Sequence, residues 1–133
     1  MILEEKNLIV NKKKGLIEKA LFSRIQKIKN EILGESFFLS VNFISPALAK
    51  ELNIKYRKKD YTPNILSFPL SKKEGEIFIC LSVARSEAKN FSLSYENFLI
   101  LLIIHGCLHL KGLDHGEKME ASESKYLKKY MIK

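Results

Sequence analysis

The chain is short of the features that would mark a secreted or membrane protein. It has two cysteines in 133 residues, Cys80 and Cys107, too few for a disulfide framework, so reduced thiols are expected and no oxidising compartment is required. Its longest apolar run, Phe98 to Ile104, covers seven residues, far below the roughly 20 that a bilayer span needs, and reads as part of a buried helix. Glu4 and Glu5 stand where a secretory leader would need positive charge, so a cytoplasmic location is expected. Internal repeats, low-complexity tracts and linkers are absent, which leaves one domain spanning residues 1–133. Acidic residues are the minority, 15 against 23 basic ones, for a net charge of +8. An anionic partner such as nucleic acid or a membrane surface would suit that excess. Only three of the 23 are Arg, however, and a solvated lysine-rich surface would give the same count.

What is present is a regular apolar pattern, with 46% hydrophobic residues and a mean hydropathy near zero, so a packed core rather than disorder is expected. Ile2 to Val10 is weakly strand-like. Ile17, Leu21, Ile25, Ile28 and Ile32 recur at steps of three and four, predicting an amphipathic helix over Leu16 to Leu33 that Gly34 stops. Phe37 to Ser45 reads as a core strand, and Pro46 opens a helix to about Arg57. Turn residues fill Lys58 to Asn64. Short strands are expected at Ile65–Phe68, closed by Pro69, and at Glu76–Leu81. Helices are expected over Val83–Asn90, Tyr95–Lys111 and Glu117–Tyr130. The sum is an α+β fold, a small mixed sheet packed with helices, with a helical C-terminal third.

All three histidines fall in one window, with the spacing His105-x3-His109-x2-Gly112-x2-His115. Residues four apart on a helix share a face, roughly 5–6 Å apart, so His105 and His109 can grip one ion. Gly112 suits the left-handed end of that helix, after which His115 can return to the same point. Three imidazoles without a fourth protein ligand match a catalytic zinc site with an open position, although nickel, copper or iron would also be accepted. The alternative is three separately packed histidines. Cys107 lies about 200° around the helix from either neighbour and is assigned to the core. The spacing is similar to that of metzincin metallopeptidases, in which a Glu follows the first His as general base. Here that position is Gly106, so a peptidase would lack its proton acceptor.

The full run His105-Gly-Cys-Leu-His-Leu-Lys-Gly-Leu-Asp-His115 resembles the signature of the YbeY family of bacterial endoribonucleases. Leu52-Asn53-Ile-Lys-Tyr56-Arg57-Lys-Lys-Asp60, Leu66-Ser67-Phe68-Pro69, Gly75-Glu76-Ile77 and Met119 with Glu123 extend the likeness from about Leu48 to Leu127. The sequence departs from the pattern in places: Lys58 replaces a Gly, Pro63-Asn64-Ile65 a Thr-Asp-Val, Glu76 an Asp and Leu113 a Tyr. The resemblance implies one α+β domain with a metal-bearing helix and one Zn2+ on His105, His109 and His115. It implies a single-strand-directed endoribonuclease acting in 16S rRNA 3′-end maturation and ribosome quality control. RNA, the small ribosomal subunit and ribosomal or assembly-factor proteins are then the implied partners. A non-catalytic, zinc-stabilised factor that binds rRNA or the ribosome is the alternative.

Several further residues read two ways. Arg57 is either a clamp for the scissile phosphate, since a guanidinium can pair with two phosphate oxygens, or an ordinary surface arginine. Lys58 and Lys59 are either phosphate contacts or a solvated loop. Asp114 orients a histidine or accepts a proton, or else caps the last helix. Phe68 either stacks on an unpaired base or belongs to the core.

Overall fold

The structure, a computed structural model, describes residues 1–133. In chain order it forms β1 (Ile2–Glu5), β2 (Leu8–Lys12), α1 (Lys19–Leu33), β3 (Phe38–Ile44) and α2 (Pro46–Arg57). There follow β4 (Ile65–Ser71), β5 (Glu74–Cys80), α3 (Leu81–Glu87), a 3-10 turn over Ala88–Phe91, α4 (Tyr95–Lys111) and α5 (Glu117–Tyr130). The strands make one mixed sheet in the order β1-β2-β3-β5-β4. β2, β3 and β5 run parallel, and the two edge strands are antiparallel to their neighbours.

Alternation on β3 sends Leu39, Val41 and Phe43 to one face. The register places Val41 between Val10 and Ile77, and Leu39 beside Leu8. Phe22, Ile25, Ile28 and Ile32 of α1 and the buried side of α4 join these side chains in one hydrophobic cluster. Helix α4 is buried on most of its circumference, which explains its long apolar run. No single helix is long and apolar enough to cross a membrane. Both cysteines are free and buried. Lys29 is buried too; its ammonium donates to the Gly34 and Glu35 carbonyls at 3.2 and 3.0 Å, and burial lowers its pKa.

The structure corrects four boundaries. Residues 2–12 form a hairpin rather than one strand, because Lys6 and Asn7 both adopt positive φ and close a two-residue turn without the usual Asn-Gly signal. Helix α1 starts at Lys19, although Ile17 is still buried from the preceding loop. Strand β4 runs through Pro69 to Ser71; an edge strand tolerates the missing N–H, and the register shifts between Pro69 and Ser71. The predicted helix over Val83–Asn90 begins at Leu81 and ends as the 3-10 turn.

Candidate metal centre and its cleft

Helix α4 brings the histidines together, and its two ends are chemically defined. Ser94 accepts a hydrogen bond from the Asn97 N–H at 3.1 Å. At the other end Gly112 takes φ +110°, its N–H donating to the His109 carbonyl and that of Leu113 to the Leu108 carbonyl. This is the hydrogen-bond pair of a Schellman turn, and it reverses the chain so that His115 returns to the helix. The ring centroids of His105, His109 and His115 lie 4.5, 4.9 and 5.4 Å apart, and one donor atom from each falls within 4.8 Å of the others. The three can hold a metal ion.

The donor chemistry supports that fit. His105 Nδ1 lies 2.7 Å from a Glu123 carboxylate oxygen, so Nδ1 carries the proton and donates it. In the neutral tautomer with Nδ1–H, His105 presents its Nε2 lone pair, and that atom lies 3.0 Å from Nε2 of His109. Zinc–nitrogen bonds of 2.0–2.1 Å in a tetrahedron put donor atoms about 3.3 Å apart, close to this separation. A cation between the rings would satisfy both nitrogens. Burial lowers the pKa of His109, and the charges of His105 and His115 lower it further; a backbone hydrogen bond with Leu113 and the Asp114 carboxylate oppose the shift. A neutral imidazole is the form a metal needs.

Gly106 explains the missing peptidase carboxylate. It is buried against the sheet, and a Cβ there would lie 2.7 Å from Ile77 Cδ1 and 3.1 Å from both Ile65 Cδ1 and Ser67 Oγ. Helix α4 can approach β4 and β5 closely only because this residue has no side chain. Cys107 is fully buried as expected, and burial pushes its thiol up to about 12, so it is neutral and takes no part in the site.

The histidines open onto a cleft of about 610 Å³ between α4, the β4 edge and the segment after α2. Arg57 lines it with them, whereas Lys58 and Lys59 are exposed beside it and do not. Lys58 ends α2 with φ +59° and ψ +34°, the left-handed conformation for which glycine is the usual choice. The departure at this position is therefore a substitution into a backbone that disfavours it. Phe68 is half-buried and packs edge-to-face on Tyr56 and Phe78, which favours the packing reading over base stacking. Asp114 caps nothing: Gly116 occupies the cap of α5, with no side-chain hydrogen bond.

Comparison with known proteins decides the family. Residues 4–133 match the family described as Endoribonuclease YbeY. The chain belongs to the YbeY family. The match reaches well before Leu48, where sequence motifs alone were generic. A Pseudomonas putida protein named Endoribonuclease YbeY is 37% identical over 102 residues, 71% of this chain and 65% of that protein, so the matched stretch spans about two thirds of this relative's length. A Staphylococcus aureus protein of the same name is 32% identical over 128 residues, covering 82% of this chain and 83% of its own. The solution structure of TM1509 from Thermotoga maritima superposes with a TM-score of 0.63 at 27% identity, covering 92% of this chain and 87% of that one.

Two carboxylates of the site carried no role in the motif reading. Glu123 lies one helical turn beyond the buried Met119 of α5, and that spacing aims it back at α4. Glu87, at the end of α3, lines the cleft and accepts a hydrogen bond from Asn64 Nδ2 at 2.8 Å. Only the folded chain brings either pair together.

Proposed function

We propose that the protein is a zinc-dependent endoribonuclease whose active site is the three-histidine cleft. The observation that carries this reading is the convergence of three imidazoles, with no further protein ligand in the group, at the floor of a cleft that also holds Arg57. Family membership supports RNA as the substrate, and the net charge of +8 suits a phosphodiester backbone. Single-stranded RNA, 16S rRNA 3′-end maturation and contacts with the small ribosomal subunit in the cytoplasm belong to the same proposal.

His105, His109 and His115 would hold the metal, which supplies electrophilic stabilisation of a phosphoryl oxygen and activation of water. Glu123 fixes the tautomer and ring plane of His105. Arg57 stands where a guanidinium would pair with phosphate oxygens and hold the strand across the histidines. Lys58 and Lys59, outside the cleft wall, would meet the flanking backbone without reading sequence. Gly106 leaves the metal-bearing helix without the base of a peptidase, which favours phosphodiester over peptide substrates.

Metal analysis paired with cleavage of single-stranded RNA tests the proposal. His109→Ala should lose bound zinc and cleavage together. Full cleavage by the metal-free variant would refute the site. Zinc-dependent stability with no cleavage by rigorously purified wild type would favour the binding-factor alternative instead.

A further inference from the structure

If Gly106 denies α4 a carboxylate, the proton acceptor has to come from another element. Among the side chains lining the cleft the one carboxylate is Glu87. It sits on the last turn of α3, half-buried, in the wall shared with Arg57 and the histidines. Asn64, in the segment leading into β4, donates its amide to Oε1 of Glu87 at 2.8 Å. That bond fixes one oxygen and leaves Oε2 without a protein partner. A residue that only tied the β4 segment to α3 would have no need to be an acid facing the cleft.

Resting on the endoribonuclease reading, we propose that Glu87 is the proton acceptor of the cleavage step and that Asn64 orients it. In that step the attacking hydroxyl, of water or of the ribose, gives its proton to Oε2 as its oxygen bonds phosphorus. The bond from phosphorus to the departing ribose oxygen breaks, and Glu87 returns the proton to that oxygen. The carboxylate ends the cycle ionised as it began.

The departure at position 64 takes its meaning from this pair. Two facing carboxylates would share a proton, raising the apparent pKa of the pair. An amide at 64 removes that competition for the proton and instead donates to one Glu87 oxygen. The charged and titratable groups facing Glu87 across the cleft are Arg57, Tyr61 and the three histidines. Arg85, on the same helix, is turned away and stacks over the Tyr95 ring at 4.0 Å.

The test uses full-length, zinc-loaded wild type, Glu87→Gln, Glu87→Asp and Asn64→Asp. Single-turnover cleavage of one single-stranded RNA is followed from pH 5 to 9, with zinc content and RNA affinity measured for each variant. Glutamine can still accept from Asn64, so Glu87→Gln keeps the fold and removes only the basicity. It should cleave about 10²–10⁴-fold more slowly across the range, with zinc content and RNA affinity unchanged. Glu87→Asp should keep part of the rate, and Asn64→Asp, which sets two carboxylates face to face, should depress the rate at the acid end of the range with zinc content unchanged. A wild-type rate from Glu87→Gln, or a rate lost only in proportion to lost zinc or RNA affinity, would overturn the assignment while sparing the nuclease reading. A zinc-loaded wild type that cleaves no RNA would overturn both.

Discussion

Removing the Glu123 carboxylate should weaken the metal site without dismantling the fold. Glu123 and His105 are each about four-fifths buried at the side chain, 19% and 22% exposed, and their contact is 2.7 Å. With Glu123→Ala, His105 is free to carry its proton on either nitrogen and to rotate. Part of the population then presents an N–H to the metal position instead of a lone pair. Outer partners of this kind typically change metal affinity 10–100-fold, which is about 1.4–2.7 kcal/mol. Glu123→Gln should fall between wild type and Glu123→Ala, because a side-chain amide oxygen still accepts from Nδ1–H but without charge. Competition against a chromophoric chelator at neutral pH gives the zinc affinities directly, and thermal melting of the metal-free proteins gives the structural cost. The reasoning is refuted if Glu123→Ala binds zinc within twofold of wild type. It is equally refuted if the metal-free variant loses as much stability as the zinc-bound one, since the carboxylate would then serve α5 docking rather than the histidine.

Three other perturbations follow from the geometry. Lys58→Gly should raise stability by about 1 kcal/mol, because the left-handed cap of α2 penalises any Cβ, and melting should rise by roughly 3 °C in the metal-free protein; an unchanged or lower midpoint would contradict it. Gly106→Ala should lower stability by about 1–2 kcal/mol in denaturant titration, overpacking against Ile77 and Ile65 outweighing the better helix propensity of Ala; a stabilised variant would show that the approach of α4 to the sheet is not tight. Glu31 joins α1 to α5 through Lys129, at 2.6 Å, and the Tyr130 hydroxyl, and these two hydrogen bonds lower its pKa. A depressed carboxyl contributes stability that is complete above its unfolded value and is lost as the pH falls through its folded one. Glu31→Gln should therefore be less stable than wild type at pH 7 and match it at pH 2–3, as read by melting at both; an equal difference at both pH values would exclude the ionised pairing as the cause.

How much of this was legible in the sequence follows from the range of each interaction. The helix face carrying His105 and His109, the turn at Gly112 and the return to His115 are written within eleven residues, where helical periodicity and the conformational freedom of glycine determine the outcome. The core rows of β3 and β5 were equally visible, because alternation is local. The hairpin at Lys6-Asn7 was not, since Lys gives no sign of positive φ and Asn7 is not followed by the Gly of the usual turn pair. The two functional carboxylates were hidden for a different reason. Glu123 meets His105 across 18 residues, and Asn64 meets Glu87 across 23, so no local period links either pair. Their meeting depends on α5 folding back on α4 and on β4 lying antiparallel to β5 at the sheet edge. Gly106 joins the two levels. In sequence it reads as the loss of a catalytic acid; in the fold it is the contact that lets α4 settle against β4, drawing the histidines to the wall that contains Glu87. The residue that removes one acid from the helix is therefore part of what brings another to the cleft.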